Sequence, residues 1–133
     1  MPYLYRQYYN GDTNIITDID GMIKEFRNLS NNDDYKFISV IKDNKLIGFC
    51  SVFIIHDIVE KQRPIITISN LRIHPDYRGR GIGKQILKFV EDLGRSINTD
   101  FIFFNCEKEN TKARKFYLDN GYKEDFGFHK YLD

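Results

Sequence analysis

Ile68-Ser69-Asn70-Leu71-Arg72-Ile73-His74-Pro75-Asp76-Tyr77-Arg78-Gly79-Arg80-Gly81-Ile82-Gly83-Lys84-Gln85-Ile86-Leu87 is the stretch on which the reading of this chain turns. It leaves a run rich in Ile and Thr, residues 64–73, that reads as a strand closed by His74-Pro75. It then crosses a loop with glycine at 79, 81 and 83, and enters a segment where Ile82, Ile86, Phe89, Val90, Leu93 and Ile97 share one helical face. A glycine-rich turn feeding a helix can bring successive backbone N–H groups to an anion, where the helix dipole already favours negative charge. Arg78, Arg80 and Lys84 add positive charge at the same point. A phosphate-bearing ligand is the inference. A glycine-rich turn with a solvated basic face is the alternative that the loop alone leaves open.

Spacing tests the competing phosphate motifs. A P-loop needs Gly where Arg78 stands and Ser or Thr where Gln85 stands, and a dinucleotide fingerprint needs Gly where Lys84 stands. Neither fits.

The neighbouring segments place this unit in a fold. Downstream, the apolar run at 101–106 is too short for a helix and reads as a strand buried on both faces. Residues 110–120 read as a short helix capped by Asn110 and stopped by Gly121, and strand-like pieces follow at 122–124 and 126–132. Upstream, residues 36–41 and 46–55 flank the turn-prone Lys42-Asp43-Asn44-Lys45 as a hairpin. A polar insert at 57–63 leads back to the Ile-rich strand in a second hairpin. Residues 3–9 read as a first strand, and Ile15, Ile16, Ile19, Met22, Ile23, Phe26 and Leu29 form a helical face weakened by Gly21. The order is strand, helix, three strands, helix, strand, helix, and one or two strands. It predicts an α/β fold on a mixed sheet, with a parallel, right-handed strand–helix–strand unit between 64 and 106.

Composition limits what else the chain does. With 133 residues, 41% of them apolar, and no repeat or long linker, one domain spanning 1–133 is expected. Lys plus Arg number 20 against 19 Asp plus Glu, so no global field draws the chain to nucleic acid or an anionic membrane. Cys50 and Cys106 read as separate buried thiols, with no disulfide framework and no metal site. No apolar run approaches the roughly 20 residues of a membrane span, and the N-terminus lacks a signal-peptide core, so a cytoplasmic protein is expected.

The loop Arg78-Gly79-Arg80-Gly81-Ile82-Gly83 resembles the Gln/Arg-x-x-Gly-x-Gly/Ala pattern of the GCN5-related N-acetyltransferases (GNAT), and its lead-in from Asn70 to Tyr77 is similar to that family's as well. Asn110-Thr111-Lys112-Ala113-Arg114-Lys115-Phe116-Tyr117, followed by Gly121-Tyr122, resembles the family's Asn-x-x-Ala-x-x-Phe-Tyr…Gly-Phe/Tyr segment. Two motifs in the right order are more specific than either alone. The likeness covers about residues 46–132, and the N-terminal third matches only in element order.

The resemblance implies a GNAT-like mixed sheet with helices on both faces and parallel strands splayed at the cofactor site. It implies acetyl-CoA as cosubstrate, no metal, and direct attack of an amine on the thioester. Backbone groups of Leu71, Arg72 and Ile73 would receive the acetyl and pantetheine arm, and Arg78, Gly79, Arg80, Gly81, Ile82, Gly83 and Lys84 would hold the pyrophosphate. Asn110 would meet the cofactor arm, and the Tyr117 hydroxyl would protonate the departing thiolate. Read without the resemblance, Tyr117 fits a core residue beside Phe116, Asn110 a helix cap and His74 a strand-end residue. Many family members place a general-base Glu on the strand before the loop, but Thr67-Ile68-Ser69-Asn70 carries no carboxylate. His56, Asp57, Glu60 and Glu107 remain the candidates. The expected acceptor is a small-molecule amine, such as an amino sugar, amino-phosphonate or polyamine. Acetylation of protein lysines or N-termini is the alternative, and a non-catalytic acyl-CoA-binding module is a third reading. Many members dimerise through the sheet edge or late strands, so a homodimer is an expectation by analogy.

Overall fold

Asp43 and Asn44 both adopt left-handed backbone angles, φ 51° and 60°, the two-residue reversal whose twist matches that of a hairpin. They join β1 (Tyr35–Lys42) to β2 (Lys45–Ile55), which pair antiparallel. β3 (Ile65–Ile73) pairs antiparallel with β2, and β4 (Ile102–Phe103) lies parallel to β3, giving a mixed sheet in the order β1-β2-β3-β4. The computed structural model describes residues 19–58 and 63–132. The predicted strand at 3–9, the start of the first helical face and Glu60 lie outside the described residues. Those that are described fall into two units, one ending at Phe103 and the other starting at Phe104.

In the first unit, α1 (Ile19–Ser30) and α2 (Ile82–Ser96) lie on opposite faces of the sheet. Alternation along β2 decides this, because successive residues of a strand point to opposite sides. Phe37, the partner of Ser51, meets Phe26 of α1 edge to face at 5.1 Å. Ile66, the partner of Ile54, lies against α2: a Cβ on Gly94 would sit 3.4 Å from its Cδ1 and 2.7 Å from Thr99 Cγ2. Gly94 thus lets helix and sheet approach closely. Cys50, Val52, Ile66, Leu87 and Val90 are almost completely buried, and each large aliphatic side chain so placed contributes roughly 1.5–3 kcal/mol. An apolar groove of about 820 Å³ runs along β1, lined by Phe26, Tyr35, Phe37, Val40, Ile86 and Phe89 among others.

The second unit is organised by α3 (Thr111–Asp119). The Asn110 side chain accepts from Ala113 N–H at 3.2 Å and caps the helix. Gly121 ends it at φ 88°, with the Tyr122 N–H reaching back to the Tyr117 carbonyl at 3.1 Å. Arg114 ties the helix to the segment C-terminal of Gly121 through Glu124 at 2.7 Å. That bond holds the Glu124 carboxyl below the usual carboxylate range and raises the Arg114 guanidinium.

Three expectations are corrected. The run at 101–106 forms a strand only at Ile102–Phe103, and Phe101 and Phe103 are exposed rather than buried on both faces. Cys106 is exposed, whereas Cys50 is buried as expected. Residues 122–132 form no strand, and Phe126, Phe128, Tyr131 and Leu132 are exposed. The first two expectations inferred burial, and the third a strand, from apolar composition, but both need a paired neighbour, and these segments have none among the described residues beyond the short β3–β4 contact.

Candidate functional site

The β3–β4 ladder covers only Ile66 with Ile102 and Thr67 with Phe103. β3 then runs on to Ile73, beyond the end of β4 at Phe103. A register shift falls just past the end of that ladder: Ser51 pairs with Asn70 and Val52 with Ile68, which leaves Ser69 as the extra residue of a bulge. Bulges bend and twist a strand and free its backbone from the ladder. The bulge therefore lies on β3, in the half of the strand that leads into the loop.

The loop begins with a short 3-10 turn, Pro75–Tyr77, stabilised by His74 Nδ1 accepting from the Asp76 N–H at 3.1 Å. His74 therefore shapes the strand end. Gly79 and Gly81 come next in the loop with φ of 75° and 80°, angles that cost an L-residue roughly 1–2 kcal/mol. A Cβ at either glycine would meet nothing within 4 Å, so the backbone there faces open space.

Gly81 is the N-cap of α2, and no side chain caps the helix. The first intrahelical bond from this turn runs from Gln85 N–H to Gly81 carbonyl, 3.1 Å. The N–H groups of Ile82, Gly83 and Lys84 therefore lack intrahelical acceptors, and the first turn holds no acidic residue to answer them. Gly83 itself lies inside the helix. Such a terminus is a ready anion site.

The cations are held by separate contacts. Arg78 Nε donates to the Ile73 carbonyl at 3.0 Å, pinning the loop to the strand end. The Arg80 guanidinium lies 5.2 Å from the centre of the Tyr77 ring, and Lys42 Nζ lies 5.8 Å from it. Lys84 is exposed on the first turn of α2. Lys42 was not foreseen, since only the β1–β2 hairpin brings it to Tyr77. On β3, the Leu71 carbonyl accepts from Arg72 Nη1 at 2.7 Å. A carbonyl has two lone pairs, so those of Leu71 and Ile73 each keep acceptor capacity.

Sequence reading also missed a polar cluster at the bulge. Ser51 is 2% exposed. Its Oγ lies 2.7 Å from Ser69 Oγ and accepts from Asn70 Nδ2 at 3.1 Å, and Ser69 Oγ donates to the Ser51 carbonyl at 3.1 Å. Burial pushes the Tyr35 phenol up, the nearby Ser51 hydroxyl lowers it, and neighbouring Cys50 raises it. The signal was a serine inside the apolar run Phe49-Cys50-Ser51-Val52-Phe53.

The base candidates are scattered. His56 Nε2 lies 3.0 Å from Asp34 Oδ1 in an exposed pair beyond the end of β2. Ile55 pairs with Ile65, four residues before the bulge, so this pair stands roughly 13 Å along the sheet from it. Asp57 is next to His56 and is exposed. Glu107 lies in the turn before α3, where its carbonyl accepts from Asn110 N–H at 3.0 Å.

In the second unit Tyr117 is half-buried among aromatics, its ring 4.5 Å from Phe104, 5.3 Å from Phe116 and 6.2 Å from Tyr122. The side-chain oxygen of Asn110 is engaged in capping.

A mixed α/β sheet leading through a glycine loop into a helix whose N-terminus has no side-chain cap is the arrangement around which the comparisons with known proteins fall. The Acetyltransferase (GNAT) family matches residues 3–122, and the chain belongs to it. An uncharacterized N-acetyltransferase, YhfO, of Bacillus subtilis (strain 168) is 26% identical over 127 residues, covering 96% of this chain and 82% of that protein. An aminoglycoside N(6')-acetyltransferase type 1 of Salmonella typhimurium is 27% identical over 84 residues, 62% of this chain and 58% of its own length. Among solved structures, AAC(6')-Iy in complex with the bisubstrate analog CoA-S-monomethyl-acetylneamine superposes with a TM-score of 0.80 at 22% identity, over 99% of this chain and 88% of that one. An aminoglycoside acetyltransferase from an uncultured soil metagenomic sample gives 0.84 at 17% identity, over 98% and 84%. Membership and these relatives make the chain an acetyltransferase enzyme of a family that uses acetyl-CoA. No helix among the described residues is long and apolar enough to cross a membrane.

Proposed function

We propose that the chain is one acetyltransferase domain of the cytoplasm, which transfers acetyl from acetyl-CoA to a primary amine of a small molecule by direct attack. The observation that carries the reading is the α2 N-terminus, with its three unanswered N–H groups behind the left-handed Gly79 and Gly81. Those donors, with Arg78, Arg80 and Lys84, fit a pyrophosphate, and the β3 backbone at Leu71, Arg72 and Ile73 fits an extended amide-bearing arm added beside the strand. Bound acetyl-CoA supplies an acyl thioester whose carbonyl carbon is open to an amine and whose sulfur leaves as a thiolate.

The chain's residues then act on protons and position. Tyr117 protonates the sulfur, and Asn110 contacts the cofactor arm through its remaining amide group. Both assignments rest on the Asn-x-x-Ala-x-x-Phe-Tyr resemblance. A phenol suits the task because a thiolate with an ordinary pKa near ~8.5 takes a proton readily. The aminoglycoside acetyltransferases among the relatives support a small polyamine or amino sugar as acceptor.

The experiment is a thiol-release assay with acetyl-CoA and a panel of neamine, glucosamine, spermidine and a lysine peptide. Amine-dependent release with a small amine is expected. Release with the peptide alone would move the assignment to protein acetylation. Coenzyme A binding without release would make the chain a binding module.

A further inference from the structure

We infer that Ser69 is the acceptor-amine contact of this enzyme, taking a hydrogen bond from the substrate nitrogen at the place where the strand carries no carboxylate. The inference rests on the acetyltransferase reading and extends it to the amine side of the site.

Counting protons in the bulge cluster leaves one assignment. A serine hydroxyl has one hydrogen to donate and two lone pairs. Ser69 donates to the Ser51 carbonyl, so its only hydrogen is spent there. With both contacts made as hydrogen bonds, the 2.7 Å contact between the two hydroxyls uses the hydrogen of Ser51. With that hydrogen committed, Ser51 accepts from Asn70 Nδ2. Ser51 then gives one bond and receives one. Ser69 has given one and received one, so a single lone pair remains. Ser51 is buried, but Ser69 is exposed. The network therefore ends in one outward hydrogen-bond acceptor whose polarity is fixed by buried groups behind it.

An amine nitrogen arrives with N–H bonds to give, so a fixed acceptor is complementary to it and a fixed donor would not be. Position agrees with polarity. Ser69 is the extra residue of the bulge, immediately after the β3–β4 ladder ends at Thr67. From the bulge, β3 runs for four residues, about 13 Å, to the strand end that Arg78 pins to the loop. A chain held by its phosphates at the α2 terminus and lying along this edge would bring its far end toward Ser69. Ser51 shares its sheet face with Phe37, which α1 covers, whereas α2 packs on the opposite face. The acceptor thus lies on the face away from the phosphate-binding helix.

The test uses the full chain with acetyl-CoA and the best acceptor of the four-amine panel, comparing wild type with Ser69→Ala and Ser69→Thr. Ser69→Ala should raise the KM for the amine by about 10-fold, the scale of one lost hydrogen bond to a charged or polar partner. It should leave kcat within about twofold, in keeping with loss of uniform binding. Coenzyme A affinity by calorimetry should stay at the wild-type value, Tm should fall by a few degrees because buried Ser51 loses its partner, and Ser69→Thr should restore KM. An unchanged KM in Ser69→Ala would overturn the inference while leaving the acetyltransferase reading intact. So would a fall in coenzyme A affinity that accounts for the whole effect, or a Ser69→Thr chain that regains Tm but not KM, since the cluster would then be purely structural. A wild-type chain that neither binds coenzyme A nor releases thiol with any amine would overturn both.

Discussion

The helices α2 and α3 begin in opposite ways. α3 starts with Asn110, whose side chain answers the Ala113 N–H at 3.2 Å. α2 starts with Gly81, left-handed and without a side chain, and leaves its first-turn donors open. A glycine cap costs a helix about a few tenths of a kcal/mol relative to Asn, Asp or Ser. The longer helix, which carries the buried Ile86, Leu87 and Val90, bears that cost, whereas the shorter helix with no fully buried residue is capped. Stability alone would favour the reverse, because a helix end left open is easiest to explain by a ligand that closes it.

The widest prediction concerns chemistry in the second unit. Tyr117→Phe removes one hydroxyl and should lower kcat roughly 10²-fold, within the usual range for general acid–base groups, while coenzyme A affinity changes little. Wild-type kcat under conditions where chemistry limits the rate would make Tyr117 a packing residue of the Phe104 cluster. At the open helix, Gly81→Val places a branched side chain in the free space above the donors and forces a left-handed residue at a cost of roughly 1–2 kcal/mol. It should weaken coenzyme A binding by about 10-fold or more in calorimetry with far-UV circular dichroism unchanged. At the capped helix the same logic predicts a stability effect instead. Asn110→Ala should cost about 1 kcal/mol in urea unfolding, with its effect on coenzyme A affinity smaller than that of Gly81→Val.

The smallest effect separates the two cysteines. Burial pushes the Cys50 thiol up to about 12, from an ordinary 9.0. The folded chain therefore holds that proton longer than the unfolded chain does. The resulting stabilisation is full below pH 9 and is lost as pH rises toward about 12. Unfolding midpoints in urea should drift downward between pH 8.5 and pH 11, and Cys50→Ala should remove part of that drift. In native protein a thiol reagent should label Cys106 and spare Cys50.

The same contrast explains what could be read in advance. Gly79 and Gly81, the periodicity from Ile82 to Leu93, the Asp43-Asn44 reversal, Asn110 as a cap and Gly121 as a stop are local signals, and the structure places each where the residues implied. Phe101, Cys106 and the Phe126–Leu132 segment were over-read because composition alone does not say whether a neighbouring strand is present to cover an apolar run. The Ser51–Ser69 cluster left only one trace, a serine inside an apolar run, for a different reason. It depends on a bulge, and the register between Gly48–Ile55 and Ile65–Ile73 is a property of paired strands that neither strand specifies alone.

The most direct measurement is a titration of coenzyme A into isotope-labelled protein, monitored through the backbone amide resonances of the α2 first turn. If the open terminus holds the pyrophosphate, the N–H signals of Gly81, Ile82, Gly83 and Lys84 should move downfield and saturate with the calorimetric affinity, and 3′-dephospho-coenzyme A should reproduce the shifts. Saturable binding that leaves these four signals unmoved would contradict the account.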